Sequence, residues 1–278
     1  MILSLTMIKK ILTFLIIYSF IFTPVVAETI TATANQEIVP TADDTITAED
    51  SAVAGAGVGI YVSDVAGVTI NSAFDIDVTS TGTVNPYGIG SVYTGTATTI
   101  DSLINSGNIT STTSGSTAGD GNSYGIFNSR GTITVFNNSG AILGTSSGYG
   151  TARGVNNTSG TITTFTNSGT ITGTGTANSG LTGAYGTYNG IGLYNHGDIA
   201  GTSGSIISAT IGTLTNTGTI DGTRTGISNN ASANYSTADI TTLINSGVIS
   251  SSITSVTSAT INSETDSTPP RKDRKSVV

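Results

Sequence analysis

Nearly the same ten residues are written five times in this chain, and that recurrence limits its fold more than any other feature. One copy reads TFTNSGTITG (residues 164–173); the others read SLINSGNITS, VFNNSGAILG, TLTNTGTIDG and TLINSGVISS. All five obey the rule Ile-x-x-[Leu/Phe]-x-Asn-x-Gly-x-Ile. It runs through Ile100, Leu103, Asn105, Gly107 and Ile109, then through Ile133, Phe136, Asn138, Gly140 and Ile142. It returns at Ile162, Phe165, Asn167, Gly169 and Ile171, at Ile211, Leu214, Asn216, Gly218 and Ile220, and at Ile240, Leu243, Asn245, Gly247 and Ile249. A degenerate copy, VTINSAFDI, occupies residues 68–76. The motif holds no acid–base pair and no nucleophile beside a base. A unit repeated without chemistry is repeated to pack on its neighbours, as in a solenoid.

A second motif, an aliphatic residue beside Gly, precedes each copy. It appears as VGIYV, YGIGS, YGIFN, RGVNN, IGLYN and TGISN. Its glycines (Gly59, Gly88, Gly125, Gly154, Gly192 and Gly226) lie 29, 37, 29, 38 and 34 residues apart. Segments rich in Gly, Ser and Thr, such as STTSGSTAGDGNS, make up the difference.

Thr, Gly and Asn in these numbers, with no 3.6-residue period, exclude helices. The β-branched residues favour strands. Leu103, Asn105, Gly107 and Ile109 fall two apart and so share one side of an extended chain. Ile100 and Leu103 are three apart, so the chain bends between them if both face inward. Short strands joined by bends describe a coil. Stacked coils lie about 4.8 Å apart, and six of them make a rod roughly 30 Å long. Stacking sets Ile on Ile, Leu on Phe and Asn on Asn, and the asparagines can pass amide hydrogen bonds along the rod. The Gly two residues after each Asn is expected to take the positive φ of a sharp bend. Such a rod has open strand edges at both ends.

Charged residues make up only 9% of the chain and the net charge is −8. No Lys stands between Lys10 and Lys272; Arg130, Arg153 and Arg224 carry the only positive charge of the long middle. Such a surface does not neutralise phosphates, which excludes nucleic acid as a partner, and it does not adhere to anionic lipid. Apolar residues at 36%, recurring at fixed places, with only five Pro, argue against disorder. There is no Cys, hence no disulfide and no thiolate metal site.

The N-terminus has the layout of a secretory signal peptide. Lys9 and Lys10 precede the apolar run ILTFLIIYSFIF, and TPVVAET offers small residues for a cut after Ala27. Read as a membrane anchor instead, the run is short for a span of about 20 residues. Met7 also serves as a start, since MIKKILTF opens a complete signal. An acidic leader follows, with Asp43, Asp44, Glu49 and Asp50. The end, SETDSTPPRKDRKSVV, breaks the pattern with four basic residues between Arg271 and Lys275; it reads as a linker or as truncated sequence.

Reactive constellations are scarce. His196 is the only His, beside Asp198 and near GTSGS (201–205). It fills a variable position of the repeat, expected to face solvent, and a Ser–His–Asp triad needs a strained nucleophile turn that is not written here. Asp43 and Asp44 form the one adjacent Asp pair, and Asp64, Asp75, Asp77 and Asp101 fall near the first turns. They lack the spacing of a calcium loop, and solubility is their expected role. Tyr87, Tyr124, Tyr149, Tyr185, Tyr188 and Tyr194 stand next to or near glycines. They either pack beside loop bases, the expected arrangement, or stack on sugars or a protein partner. There is no phosphate-binding loop with its Lys and no His/Cys metal cluster. The NIT and NTS sequons matter only in a eukaryotic secretory route.

The signal and the Asn-Ser-Gly-x-Ile repeats together resemble the passenger region of Gram-negative autotransporters, whose repeats commonly read like TLTNSGTITG. The resemblance covers about residues 58–262 and the signal. It implies a right-handed parallel β-helix, export to the periplasm, and display at the cell surface, often for adhesion. Those proteins end in an outer-membrane β-barrel that closes at an aromatic residue, whereas this chain ends RKSVV. Either the barrel is lost, the chain is a fragment, or another component exports it. No serine-protease signature is present, so no catalytic residue carries over.

The sequence thus predicts an all-β chain: a signal peptide over 1–27, an acidic leader or N-terminal cap over 28–57, a right-handed parallel β-helix of about six turns over 58–262, and a disordered or truncated tail over 263–278. The expected function is that of an exported, non-enzymatic, adhesin-like surface protein without cofactor, metal or catalytic residues. Its expected partners are the export machinery and a host or cell-surface protein or glycan, with no membrane span in the mature chain. It is expected at the cell surface or outer membrane, or secreted, and in the periplasm if the barrel is absent. Two alternatives stand: a carbohydrate-active β-helix enzyme, which requires carboxylates such as Asp64, Asp101, Asp198 and Asp221 on one face, and a truncated relic or stalk without a ligand.

Overall fold

In a computed structural model, residues 30–31, 37–38, 44–48, 57–80, 85–92, 94–96, 98–114, 121–147, 150–175, 191–200, 205–231, 237–251 and 264–266 are described. Every element among them is a strand, and the strands form three sheets in which each but Ser205–Ile207 pairs with its equivalent one coil away. Sheet 1 stacks Val58–Ser63, Tyr87–Val92, Ser123–Ser129, Ala152–Thr158, Ile191–Ala200 and Thr225–Ala231. Sheet 2 stacks Val68–Ser72, Thr99–Asn105, Thr132–Asn138, Thr161–Asn167, Ala209–Asn216 and Ala238–Asn245. Sheet 3 stacks Ile76–Ser80, Asn108–Thr113, Ala141–Ser146, Thr170–Gly175, Thr219–Gly222 and Val248–Ser251. One strand from each sheet makes a coil, and these eighteen strands make six: 58–80, 87–113, 123–146, 152–175, 191–222 and 225–251, numbered 1 to 6 below. The molecule is therefore an all-β parallel solenoid, a β-helix built on the sequence repeat. Ile30–Thr31, Glu37–Ile38 and Asp44–Ala48 add one short parallel strand to each sheet before coil 1, and Glu264–Asp266 adds one to sheet 2 after coil 6.

The register is the one the repeat demands. Ile100, Ile133, Ile162, Ile211 and Ile240 are successive partners in sheet 2, and so are Leu103, Phe136, Phe165, Leu214 and Leu243. All ten are buried, and the rings of Phe136 and Phe165 stack 4.3 Å apart at 5°. Burial of such side chains contributes about 1.5–3 kcal/mol each, which offsets the entropy of ordering a coil. The odd residue between Ile100 and Leu103 is taken up inside the strand: pairing skips Asp101, Thr134, Thr163, Gly212 and Thr241. The degenerate copy lacks that residue, so Val68 and Ile70 face Ile100 and Leu103 across a register shift between Val68 and Thr69.

Both sets of repeated glycines answer to close approach. A Cβ on Gly59, Gly88, Gly125, Gly154, Gly192 or Gly226 would stand 2.2–2.9 Å from Cγ2 of the Ile that ends the motif, on sheet 3 across the lumen. The expectation of positive φ at Gly107, Gly140, Gly169, Gly218 and Gly247 is not met; positive φ occurs at Gly57, Gly67 and Gly121, and at Asp64, Arg130 and Ser159. The reason for Gly after the Asn is contact between coils. A Cβ there would fall 2.0–2.4 Å from a backbone oxygen of the preceding coil, as at Gly140 against the carbonyl of Gly107.

One element departs from parallel stacking. The end of Ile191–Ala200 pairs antiparallel with Ser205–Ile207, a hairpin that grows out of coil 5.

Candidate functional site

Three polar rows run along the corners. At the corner between sheets 2 and 3, Asn105 Nδ2 donates to Asn138 Oδ1 at 2.8 Å, Asn138 to Asn167 at 2.8 Å, Asn167 to Asn216 at 2.8 Å and Asn216 to Asn245 at 2.9 Å. Each of the first four also donates to the carbonyl of the Gly two residues on, closing its own turn. A second row, which the repeat rule did not anticipate, lines the corner between sheets 1 and 2. There Asn128 donates to Asn157, Asn157 to Asn195 and Asn195 to Asn229, at 2.7–2.8 Å. The signal was present in sequence, since each of these Asn stands three residues after the Gly of the second motif. At the corner between sheets 3 and 1, the side chain of Asn85 accepts from the Asn122 backbone N–H, and that of Asn122 from the Thr151 N–H and hydroxyl. The amides of the first two rows are buried, and apart from the Oδ1 of Asn105 and of Asn128 at the row starts they are paired along the rows, so they hold the scaffold rather than offer a site.

The outer face of sheet 1 is different. Tyr87 and Tyr124 are register partners, and Tyr124 is the partner of Arg153 one coil later. The tyrosine rings stack at 5.5 Å and 6°, and Phe127 lies 4.7 Å from Tyr87 and 5.3 Å from Tyr124. Phe127 stands opposite Gly90, which leaves room for the Tyr87 ring beside it. The Arg153 guanidinium sits over Tyr124, 5.3 Å from the centroid, as a cation over an aromatic face. Burial pushes the Tyr87 hydroxyl up to about 12, with Tyr124 and Tyr61 adding to the rise and a hydrogen bond with Asn85 opposing it. The tyrosines thus pack on the rod in a cluster of their own. The sequence pointed to Tyr87 and Tyr124 but missed Phe127 and Arg153; their signal is position, three residues and one coil beyond Tyr124. Tyr149, Tyr185 and Tyr188 lie outside the described residues, as does the side chain of Tyr194.

Among the described residues the carboxylates do not converge. Asp64 turns the corner between sheets 1 and 2 in coil 1 with φ 54°, and Asp75 sits at the next corner of that coil. Asp77 belongs to sheet 3 in coil 1, Asp101 is exposed on sheet 2 in coil 2, and Asp221 lies on sheet 3 in coil 5, where its Oδ1 accepts from Ser250. Asp64 and Asp75 are taken up by coil 2: Asp64 accepts from the Thr94 and Thr96 N–H groups and the Thr94 hydroxyl, and Asp75 from Asn108 N and Nδ2. The Thr94 hydroxyl, first, and the Thr96 N–H hold the Asp64 carboxyl below the usual carboxylate range. His196 pairs with Thr158 and Asn230 in sheet 1, and Asp198 and Ser205 lie in the hairpin; their side chains, and Asp43, are outside what the structure describes. Among the described residues no three of His, Cys, Asp or Glu gather in one place.

No family model, curated protein or solved structure matches the chain. What the described residues bring together on sheet 1 is a set of stacked rings with a guanidinium over one of them.

Proposed function

We propose that the chain is an exported, non-enzymatic surface protein of the autotransporter-passenger kind, which adheres to a cell-surface protein or glycan through sheet 1 and its connecting segments. The observation that supports this reading is the cluster of Tyr61, Tyr87, Tyr124, Phe127 and Arg153 on the outer face of sheet 1. Aromatic planes and Arg are the side chains that give binding surfaces most of their affinity. The connections that vary in length begin or end at this sheet, so recognition elements can change while the lumen does not.

The test is binding of the chain from Glu28 onward to cells, to a glycan array and to extracellular-matrix proteins. Expected is saturable binding that Arg153→Gln or Phe127→Ala weakens at least tenfold while the β-rich circular dichroism spectrum is unchanged. Absence of binding to all three, or equal binding by the variants, removes the support for adhesion through this face.

A further inference from the structure

The two asparagine rows do not run the full length of the solenoid, and they begin in different coils. In the row between sheets 2 and 3, Ser72 takes the Asn place in coil 1 and the row starts at Asn105 in coil 2. In the row between sheets 1 and 2, Val62 and Ser91 take it in coils 1 and 2, and the row starts at Asn128 in coil 3. The number of buried amide bonds that join one coil to the next therefore climbs. Among the described residues it is none between coils 1 and 2, and one between coils 2 and 3, from Asn105 to Asn138. It is two between coils 3 and 4 (Asn128 to Asn157, Asn138 to Asn167), and two at each later junction.

Polarity makes the deficit specific. Every amide donates from the lower coil to the higher, so the first Asn of each row keeps an acceptor with a Ser and no amide beneath it. Asn105 Oδ1, Asn128 Oδ1 and Ser91 Oγ are buried and have no hydrogen-bond partner among the described residues. A buried acceptor left unpaired weakens the contact it lies in. In place of buried amides, coils 1 and 2 are tied by the Asp64 and Asp75 carboxylates, whose hydrogen bonds are exposed to water, where such bonds contribute little net. The register shift between Val68 and Thr69 falls at the same junction.

We infer that the solenoid opens in steps from its N-terminal end: coil 1 parts from coil 2 first, coil 2 from coil 3 next, and coils 3 to 6 stay together as one cooperative unit. Repeat proteins allow this, because each coil touches only its neighbours and stability is a sum over junctions.

Native-state hydrogen exchange on the full chain reads the junctions one by one. The amides of Thr99, Ser106 and Ser114 bond to carbonyls of coil 1. Those of Ser139 and Ser147 bond to coil 2, those of Thr161 and Ser168 to coil 3, those of Thr210 and Thr217 to coil 4, and that of Ser246 to coil 5. Protection is expected to rise about tenfold for each amide bond gained, from the first group to the second and from the second to the third, then to level off. Equal protection at the first three junctions overturns the inference. Fraying by position alone would give a similar gradient, so Ser72→Asn decides between them. By supplying a donor to Asn105 Oδ1 it should raise protection of Thr99, Ser106 and Ser114 about tenfold and leave Thr161 and Ser168 unchanged. If that variant does not fold, Ser91→Asn, which reaches toward Asn128 Oδ1, should do the same for Ser139 and Ser147. Unchanged protection in the folded variant means that the rows do not set the order of opening.

Discussion

Two corners of the same coil behave in opposite ways. Between sheets 2 and 3, two residues separate the strands in each of coils 2 to 6. Between sheets 3 and 1, the separation runs from two residues (223–224) to fifteen (176–190). At the first corner the backbones of successive coils touch, since a Cβ on Gly140, Gly169 or Gly218 would lie 2.0 Å from the carbonyl oxygen beneath it. No insertion fits where there is no room for a methyl group. At the second corner the described coils are linked by side chains reaching to backbone, Asn85 to Asn122 and Asn122 to Thr151. A longer connection there leaves the stack intact, because closing a longer loop costs only about 0.6 kcal/mol per doubling. Variation in length thus collects beside sheet 1, where the aromatic cluster lies, and is excluded from the opposite edge.

The largest test of this contrast is Gly169→Ala. Its nearest obstacles are the Gly140 carbonyl oxygen at 2.0 Å and the Ser139 carbonyl carbon at 2.7 Å, both backbone, so no side chain can yield. A loss of about 3 kcal/mol, the upper end of what overpacking costs, is expected in urea denaturation, whereas Gly95→Ala, with nothing within 4 Å, should be near neutral. A Gly169→Ala midpoint equal to that of the parent would mean that the constant corner is not held by contact.

Asn138→Ala comes next. It removes bonds to Gly140, Asn167 and Thr170 and strips Asn105 of an acceptor. Each buried group left unpaired costs about 1–3 kcal/mol. At the variable corner, Asn122→Ala, which removes an acceptor near the surface, should cost less than Asn138→Ala by the same measurement. Equal losses would erase the distinction between the corners.

Alkali probes the aromatic side of the molecule. The Tyr87 hydroxyl is raised to about 12 by burial, so between about pH 10 and 12 the unfolded chain loses a proton that the folded chain keeps. Stability should then fall as pH rises, by about 1.4 kcal/mol per unit within that window. Tyr87→Phe should flatten the slope, and an unchanged slope would place the titration elsewhere.

The smallest effect is expected in acid. The Asp64 carboxyl is held below its ordinary value by Thr94 and Thr96. Its contribution is present above the ordinary Asp range, about 3.9, and is lost as pH falls through the depressed value. Protection of Thr99 should drop there before that of Ser168. Simultaneous loss would mean that Asp64 adds nothing of its own to the first junction.

Much of this could be read in advance. The stack of Ile100 on Ile133, of Phe136 on Phe165 and of Asn138 on Asn167 follows from spacing, because a parallel coil brings residue and equivalent residue together with little freedom of register. That the chain departs from a flat strand between Ile100 and Leu103 was legible, because inward positions three apart cannot share one, but the departure is a skipped residue inside a single strand and not the corner between strands that the spacing suggested. The second asparagine row was equally present in the letters but hidden, since YGIFN and RGVNN were read for their glycines. The candidate site was half legible: tyrosines beside glycines mark a surface, but that Tyr124 meets Phe127 and Arg153 depends on which residues skip the ladder.

By itself the sequence determined the period, the composition of the lumen and the parallel stacking, all of which are local patterns multiplied by repetition. Only the tertiary structure decided why the glycines are needed. Gly125 yields space to Ile142 and Gly140 to the Gly107 carbonyl, partners 17 and 33 residues away. Whether a chain has room for a Cβ depends on the distance to atoms of another sheet or coil. That distance is set when three sheets close around one core, and no single repeat contains it.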